Sequence, residues 1–142
     1  MTALYRPPIH TQADLEGAWR HLMGPGGFAG PSLWMMVILG DDHPLPHLVE
    51  MTDADEPPGP AERAALADFL RHFAAETGEG LRFAFLRSRP GGHTVTPLDR
   101  AWAEALYDVA RTAGIGCEVV HLATRDRIRP VPPDELTVLA TA

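Results

Sequence analysis

Apolar residues recur at helical spacing in three separate stretches of the chain. The first stretch places five apolar side chains on one helical face, namely Leu15, Ala18, Trp19, Leu22 and Met23. Similar stripes run over residues 66–73 and residues 98–113. Each stretch follows a residue that favours a helix start and is followed by glycine, so the pattern predicts three helices, starting near Thr11, Pro60 and Thr96.

Runs rich in strand-forming residues lie between and after these helices. The predicted strands cover residues 32–40, 45–52, 81–88 and 117–122, with a further short strand over residues 128–131. The first run is apolar on both faces, which is typical of a central strand covered on both sides. Pro44 and Pro46 favour an edge position for the second, because proline cannot donate to a ladder. A short final helix is predicted to start at Pro132.

The order of these elements is α-β-β-α-β-α-β, which predicts an α/β fold. A hairpin followed by strands that alternate with helices implies a three-layer architecture, in which a mixed β-sheet carries helices on its faces. The 142 residues are expected to form a single domain, with residues 1–10 as a loose N-terminal arm.

Composition narrows the class of protein without identifying it. The net charge of -7 argues against a general nucleic-acid coat or a membrane-surface protein. All 12 basic residues are arginine and asparagine is absent, a bias expected from a GC-rich genome. The lone Cys117 cannot form an internal disulfide, and no signal peptide opens the chain, so a cytoplasmic location is expected.

Charge is distributed unevenly along the chain. Residues 41–79 contain ten acidic residues against two arginines, whereas residues 82–129 contain eight arginines against five acidic residues. Two solvated faces would explain this asymmetry, but so would contact with a protein partner or a second copy of the chain.

Two short motifs stand where one predicted strand ends and the next helix begins. The strand ends in Arg87-Ser88-Arg89-Pro90, and the helix begins with Thr96-Pro97-Leu98-Asp99. With the order of elements and a later strand that ends in His121-Leu122, these motifs make residues 32–131 resemble the JAB/MPN metalloprotease-like domain, in the form found in bacterial RadC-like proteins. The resemblance implies a cytidine-deaminase/JAB-like fold. In that family a His-x-His-Pro sequence and the Asp of a Ser-x-x-Asp sequence bind zinc, and a Glu from an earlier segment is the general base.

This chain departs from the family pattern at the metal ligands. Arg87 and Arg89 stand at the two histidine positions, and a guanidinium has no lone pair for a metal. We therefore expect no zinc or other cofactor and no metalloprotease activity. The resemblance then implies a non-catalytic binding or interaction module. The alternative is a metal-independent enzyme or small-molecule binder that holds a carboxylate or phosphate with the two arginines.

Five residues form the candidate site: Arg87, Arg89, Thr96, Asp99 and His121. Both arginines continue the row of Phe83 and Phe85 on one face of their strand, close to the positive end of the following helix. They either bind an anion there or bind Asp99 and nearby carbonyls in place of the metal. A third possibility is a relocated metal site formed by His93, Asp99 and His121.

Overall fold

The computed structural model describes residues 8–23, 31–45, 48–52, 55–92, 94–125 and 127–133. Within these residues lie α1 (Gln12–Met23), β1 (Ser32–Ile38), β2 (Val49–Thr52), α2 (Pro60–Thr77), β3 (Arg82–Ser88), α3 (Pro97–Ala113), β4 (Gly116–Cys117), β5 (Val120–Ala123) and β6 (Ile128–Val131). No helix in this part of the chain is long and apolar enough to cross a bilayer.

The strands form one mixed sheet of six strands in the order β2-β1-β3-β5-β6, with β4 also paired to β3. β1 runs antiparallel to both β2 and β3, β3 is parallel to β4 and β5, and β5 is antiparallel to β6. The prediction of an α/β fold with a mixed sheet is confirmed. As predicted, β1 lies inside the sheet and β2 lies at its edge.

Helices pack on both faces of the sheet because the side chains of the central strands alternate. From β3, Phe83 and Phe85 join the core cluster that contains residues of α2 and α3. Ala84 and Leu86 point the other way, into the cluster with Trp19 of α1. The position of Arg87 in this alternation directs its side chain towards the α2 and α3 layer.

The strand bounds differ from the predicted ones most at the hairpin and at residues 117–122. In the hairpin, Ile38 and Pro44 make an isolated bridge, and the regular pairing of β2 with β1 covers Val49–Thr52. The predicted strand over residues 117–122 is divided into β4 and β5. Glu118 and Val119 lie between them. The Glu118 N–H still donates to the carbonyl of Phe83 at 2.9 Å, and its carboxylate pairs with the guanidinium of Arg82.

The end of the predicted loose arm is held in place. Ile9 is buried, its N–H donates to the carbonyl of Asp42, and its carbonyl accepts from Nη2 of Arg82 at 2.6 Å. The sequence expectation is therefore wrong for this residue, because an apolar side chain and two backbone hydrogen bonds anchor it. Residues 1–7 and most of the predicted final helix lie outside the described residues.

Candidate functional site

The site is built where β3 ends and α3 begins, and the start of α3 is fixed by a capping box. The Thr96 hydroxyl accepts a hydrogen bond from the Asp99 N–H at 3.1 Å, and the Asp99 carboxylate accepts one from the Thr96 N–H at 2.9 Å. Pro97 takes the first helical position, where a missing N–H costs nothing. The cap leaves the Asp99 carboxylate fixed at the helix start, directed towards β3.

Both candidate arginines bind this carboxylate. Arg87 Nε lies 3.1 Å from Asp99 Oδ1, Arg89 Nε lies 2.9 Å from the same oxygen, and Arg89 Nη2 lies 2.8 Å from Oδ2. Only 4% of the Arg87 side chain, 13% of the Arg89 side chain and 1% of the Asp99 side chain are exposed. We call these three residues the Arg87–Asp99–Arg89 cluster. Its hydrogen bonds are charge-assisted, because they join ionised groups, and they are largely removed from water.

Arg89 uses every donor of its guanidinium inside the chain. Besides its bonds to Asp99, its Nη1 donates to the carbonyls of Pro90 and Gly92, at 3.1 and 3.0 Å. Its Nη2 also donates to the carbonyl of Thr94 at 2.9 Å. Arginine has five N–H donors, so none remains for an added anion in this arrangement. Arg89 therefore holds the loop between β3 and α3 in place.

Arg87 has a second partner that sequence reasoning assigned only to the core. Its guanidinium carbon lies 5.5 Å from the centre of the Trp102 ring, a cation–π distance. Trp102 follows Asp99 by three residues and thus shares its helix face. That spacing is the signal that could have identified this contact. The two guanidinium groups carry one more positive charge than the Asp99 carboxylate can neutralise. The Trp102 ring and the loop carbonyls lie next to this excess charge.

The electrostatics of Asp99 favour its charged form. Burial by itself would raise the pKa of the Asp99 carboxyl, but hydrogen bonds from Arg89, the Thr96 N–H and Arg87 together hold that pKa below its usual value. Its bond to Asp99 also raises the pKa of Arg89 against the opposing effect of burial. Asp99 and Arg89 therefore both stay ionised at neutral pH.

His121 does not belong with the other four candidate residues, which corrects the grouping expected from the sequence. It pairs with Leu86 in the sheet, so its side chain points to the α1 face, opposite Asp99. There its Nδ1 lies 3.0 Å from the carbonyl of Val119, and its Nε2 lies 3.5 Å from Oε1 of Glu16 without a hydrogen bond. Burial lowers the pKa of His121, although Glu16 opposes the shift.

We predict that His121 makes stability depend on pH. A histidine whose pKa is lowered by folding binds fewer protons in the folded state than in the unfolded state. Its contribution to the free energy of unfolding is therefore fully present above the unfolded pKa of about 6.5. The contribution is lost as pH falls below that value through the lower pKa of the folded state. Urea unfolding between pH 5 and pH 8 should show a smaller pH dependence for His121→Gln than for the wild type.

His72 offers a control for this measurement because it is an exposed histidine on α2. Measured beside His121→Gln, the variant His72→Gln controls for the loss of a histidine as such. Equal pH dependence for wild type and His121→Gln would show that burial does not lower the pKa of His121.

The structure gives little support to a relocated metal site. His93 lies outside the described residues, and Asp99 and His121 lie on opposite faces of the sheet, so these two cannot share one ion. Across the described ranges, no group of three or more His, Cys, Asp or Glu side chains is arranged to hold a metal.

Comparisons with known proteins add no relative. A scan against protein-family models, a search of curated proteins and a search of solved structures each gave no match. The resemblance to the JAB/MPN domain thus depends on the order of elements and on the residues at the junction of β3 and α3.

Proposed function

We propose that this chain is a non-catalytic binding or interaction module of the JAB/RadC-like type, in which the Arg87–Asp99–Arg89 cluster takes the place of the zinc site. One observation carries the proposal: the carboxylate that matches the family's metal ligand is bound by the two residues that replace the family's histidines. The order of elements from α1 to β5 is the second support.

The chemistry of the cluster does not suit a zinc ion. Zinc needs lone pairs from histidine, cysteine or carboxylate, and a guanidinium has none to give. The Asp99 oxygens already accept from Arg87, Arg89 and the Thr96 N–H. Two guanidinium groups supply the positive charge that a divalent ion would bring, so the Asp99 carboxylate has its counter-charge without a metal. This position accordingly has no metal-bound water to attack a peptide bond.

The alternative, an enzyme or binder that holds an anion with Arg87 and Arg89, is less well supported by the same geometry. An anion would have to displace Asp99 or a loop carbonyl from Arg89, because the donors of that guanidinium are in use. A closed cluster of this kind is suited to holding the fold while other surfaces bind a partner. We therefore propose that this chain functions by binding a protein partner.

Restoring the family ligands tests the proposal. The double variant Arg87→His/Arg89→His presents two imidazoles and Asp99 at one point, and should bind roughly one zinc per chain, measured by elemental analysis after dialysis. The triple variant that adds Asp99→Ala is the matched control and should bind much less. The wild type should carry no stoichiometric zinc.

Two results would contradict the proposal. Roughly one zinc per wild-type chain would mean that the arginines do not exclude the metal. A double variant that is folded by circular dichroism but binds no more zinc than the triple variant would mean that this junction does not have the geometry of a JAB site.

A further inference from the structure

The edge strand β2 is uncovered on both faces. All four of its residues are exposed, including Val49 at 47% and Met51 at 38%. These two apolar side chains are paired with Met35 and Leu33, which belong to the core under α2 and α3. The apolar row of the core therefore continues past the helices to the open edge of the sheet.

The opposite edge is less suited to pairing with another strand. Pro130 of β6 has no N–H to donate, and proline at an edge is a common protection against strand addition. The carbonyl of Val131 already accepts from the Tyr107 hydroxyl at 2.7 Å. Among the described residues, β2 pairs only with β1, so its other side is available to a further strand.

We propose that β2 pairs with β2 of a second copy of this chain, antiparallel, about a two-fold axis that passes through Met51. Two copies related in this way form one continuous sheet, with their α2 and α3 layers on the same side. Met51 then contacts Met51 of the second copy, which removes the exposed apolar end of each core row from water.

Glu50 favours this register over the two neighbouring antiparallel ones, since an axis through Val49 would place its carboxylate opposite Leu48, which has no donor in its side chain. A two-fold axis through Glu50 would place two carboxylates directly opposite each other, which is unfavourable. An axis through Met51 instead places Glu50 opposite Thr52 of the second copy, where a hydroxyl can donate to the carboxylate. The Ser32 hydroxyl of β1 also donates to the Glu50 carboxylate, at 3.0 Å.

A second copy fits this edge better than a head-to-tail arrangement. A heterologous contact between β2 and β6 would need Pro130 to serve in the new ladder and would generate open chains of molecules. The isologous contact uses one surface twice and closes at a dimer. Four residues per copy make a small interface, so the dimer should dissociate on dilution.

Sedimentation velocity over a wide range of protein concentration tests the proposal. The wild type should approach twice the 15.4 kDa mass of one chain at high concentration. Met51→Arg places two charges on the axis and should keep the protein at the mass of one chain. Phe69→Arg is the control, because Phe69 is an apolar residue on α2 that is more exposed than Met51, and this variant should still dimerise. A wild type that stays monomeric throughout, or a dimer that Met51→Arg leaves intact, would overturn the proposal.

Disulfide trapping tests the register in a Cys117→Ala background, which removes the native thiol. Met51→Cys should cross-link between copies under mild oxidation much faster than Glu50→Cys or Val49→Cys, since only residue 51 lies on the axis. Faster cross-linking through residue 50 would overturn the register, and equal rates at all three positions would indicate random collision and overturn the paired strand.

Discussion

Asp99→Ala should lower the free energy of unfolding by about 3–5 kcal/mol, because it leaves two largely buried guanidinium groups without their counter-charge. The same change removes the capping box of α3, which adds to the loss. Urea unfolding monitored by circular dichroism measures the effect, and Asp99→Asn should lie between alanine and the wild type because an amide keeps part of the hydrogen bonding.

Asp68 is the matched control for Asp99. It also forms an ion pair with an arginine, Arg71, at 3.0 Å, but 61% of its side chain is exposed. Asp68→Ala should therefore cost less than about 1 kcal/mol. If the two alanine variants lose similar stability, burial of the Arg87–Asp99–Arg89 cluster has no energetic consequence.

Arg89→Lys should be nearly as harmful as loss of the side chain, with a decrease of about 2–4 kcal/mol in the free energy of unfolding. A lysine keeps the charge, but its single ammonium cannot reach both Asp99 oxygens and three loop carbonyls at once. Amide hydrogen exchange should also become faster at Gly91 and Gly92, because the guanidinium holds this part of the loop through the carbonyls of Pro90 and Gly92.

Arg71 provides the comparison for this substitution. It binds Asp68 and the carbonyl of Thr112, yet about half of its side chain is exposed. Arg71→Lys should change stability by less than about 1 kcal/mol. An Arg89→Lys variant as stable as Arg71→Lys would mean that charge alone, and not the planar fork of donors, holds the loop.

The position of the cluster could be predicted from the sequence because two simple rules converge there. Strand alternation placed Arg87 and Arg89 on the face of Phe83 and Phe85, and the Thr96 cap fixed where α3 begins. Both rules act over a few residues, so they depend little on the rest of the fold. The contact of both arginines with Asp99 follows from these two local facts.

What the sequence could not provide were partners that come from distant segments. His121 lies beside Glu16 because β5 and α1 meet across the sheet, a contact between residues far apart in the chain. The ion pair between Arg82 and Glu118, beside the break between β4 and β5, likewise joins residues far apart in the chain. Carbonyls near the arginines were among the predicted partners, but which carbonyls accept from Arg89 depends on a backbone path that no side-chain pattern encodes.

The most direct test of the account is the unfolding free energy of Arg87→Ala, measured beside the wild type with and without inorganic phosphate. If the arginines hold the fold, Arg87→Ala is markedly less stable than the wild type, and phosphate stabilises neither protein. If they form an anion site, the variant is nearly as stable as the wild type without phosphate, and phosphate stabilises the wild type alone by RT ln(1 + [L]/Kd). The account predicts the first result, and the second would contradict it.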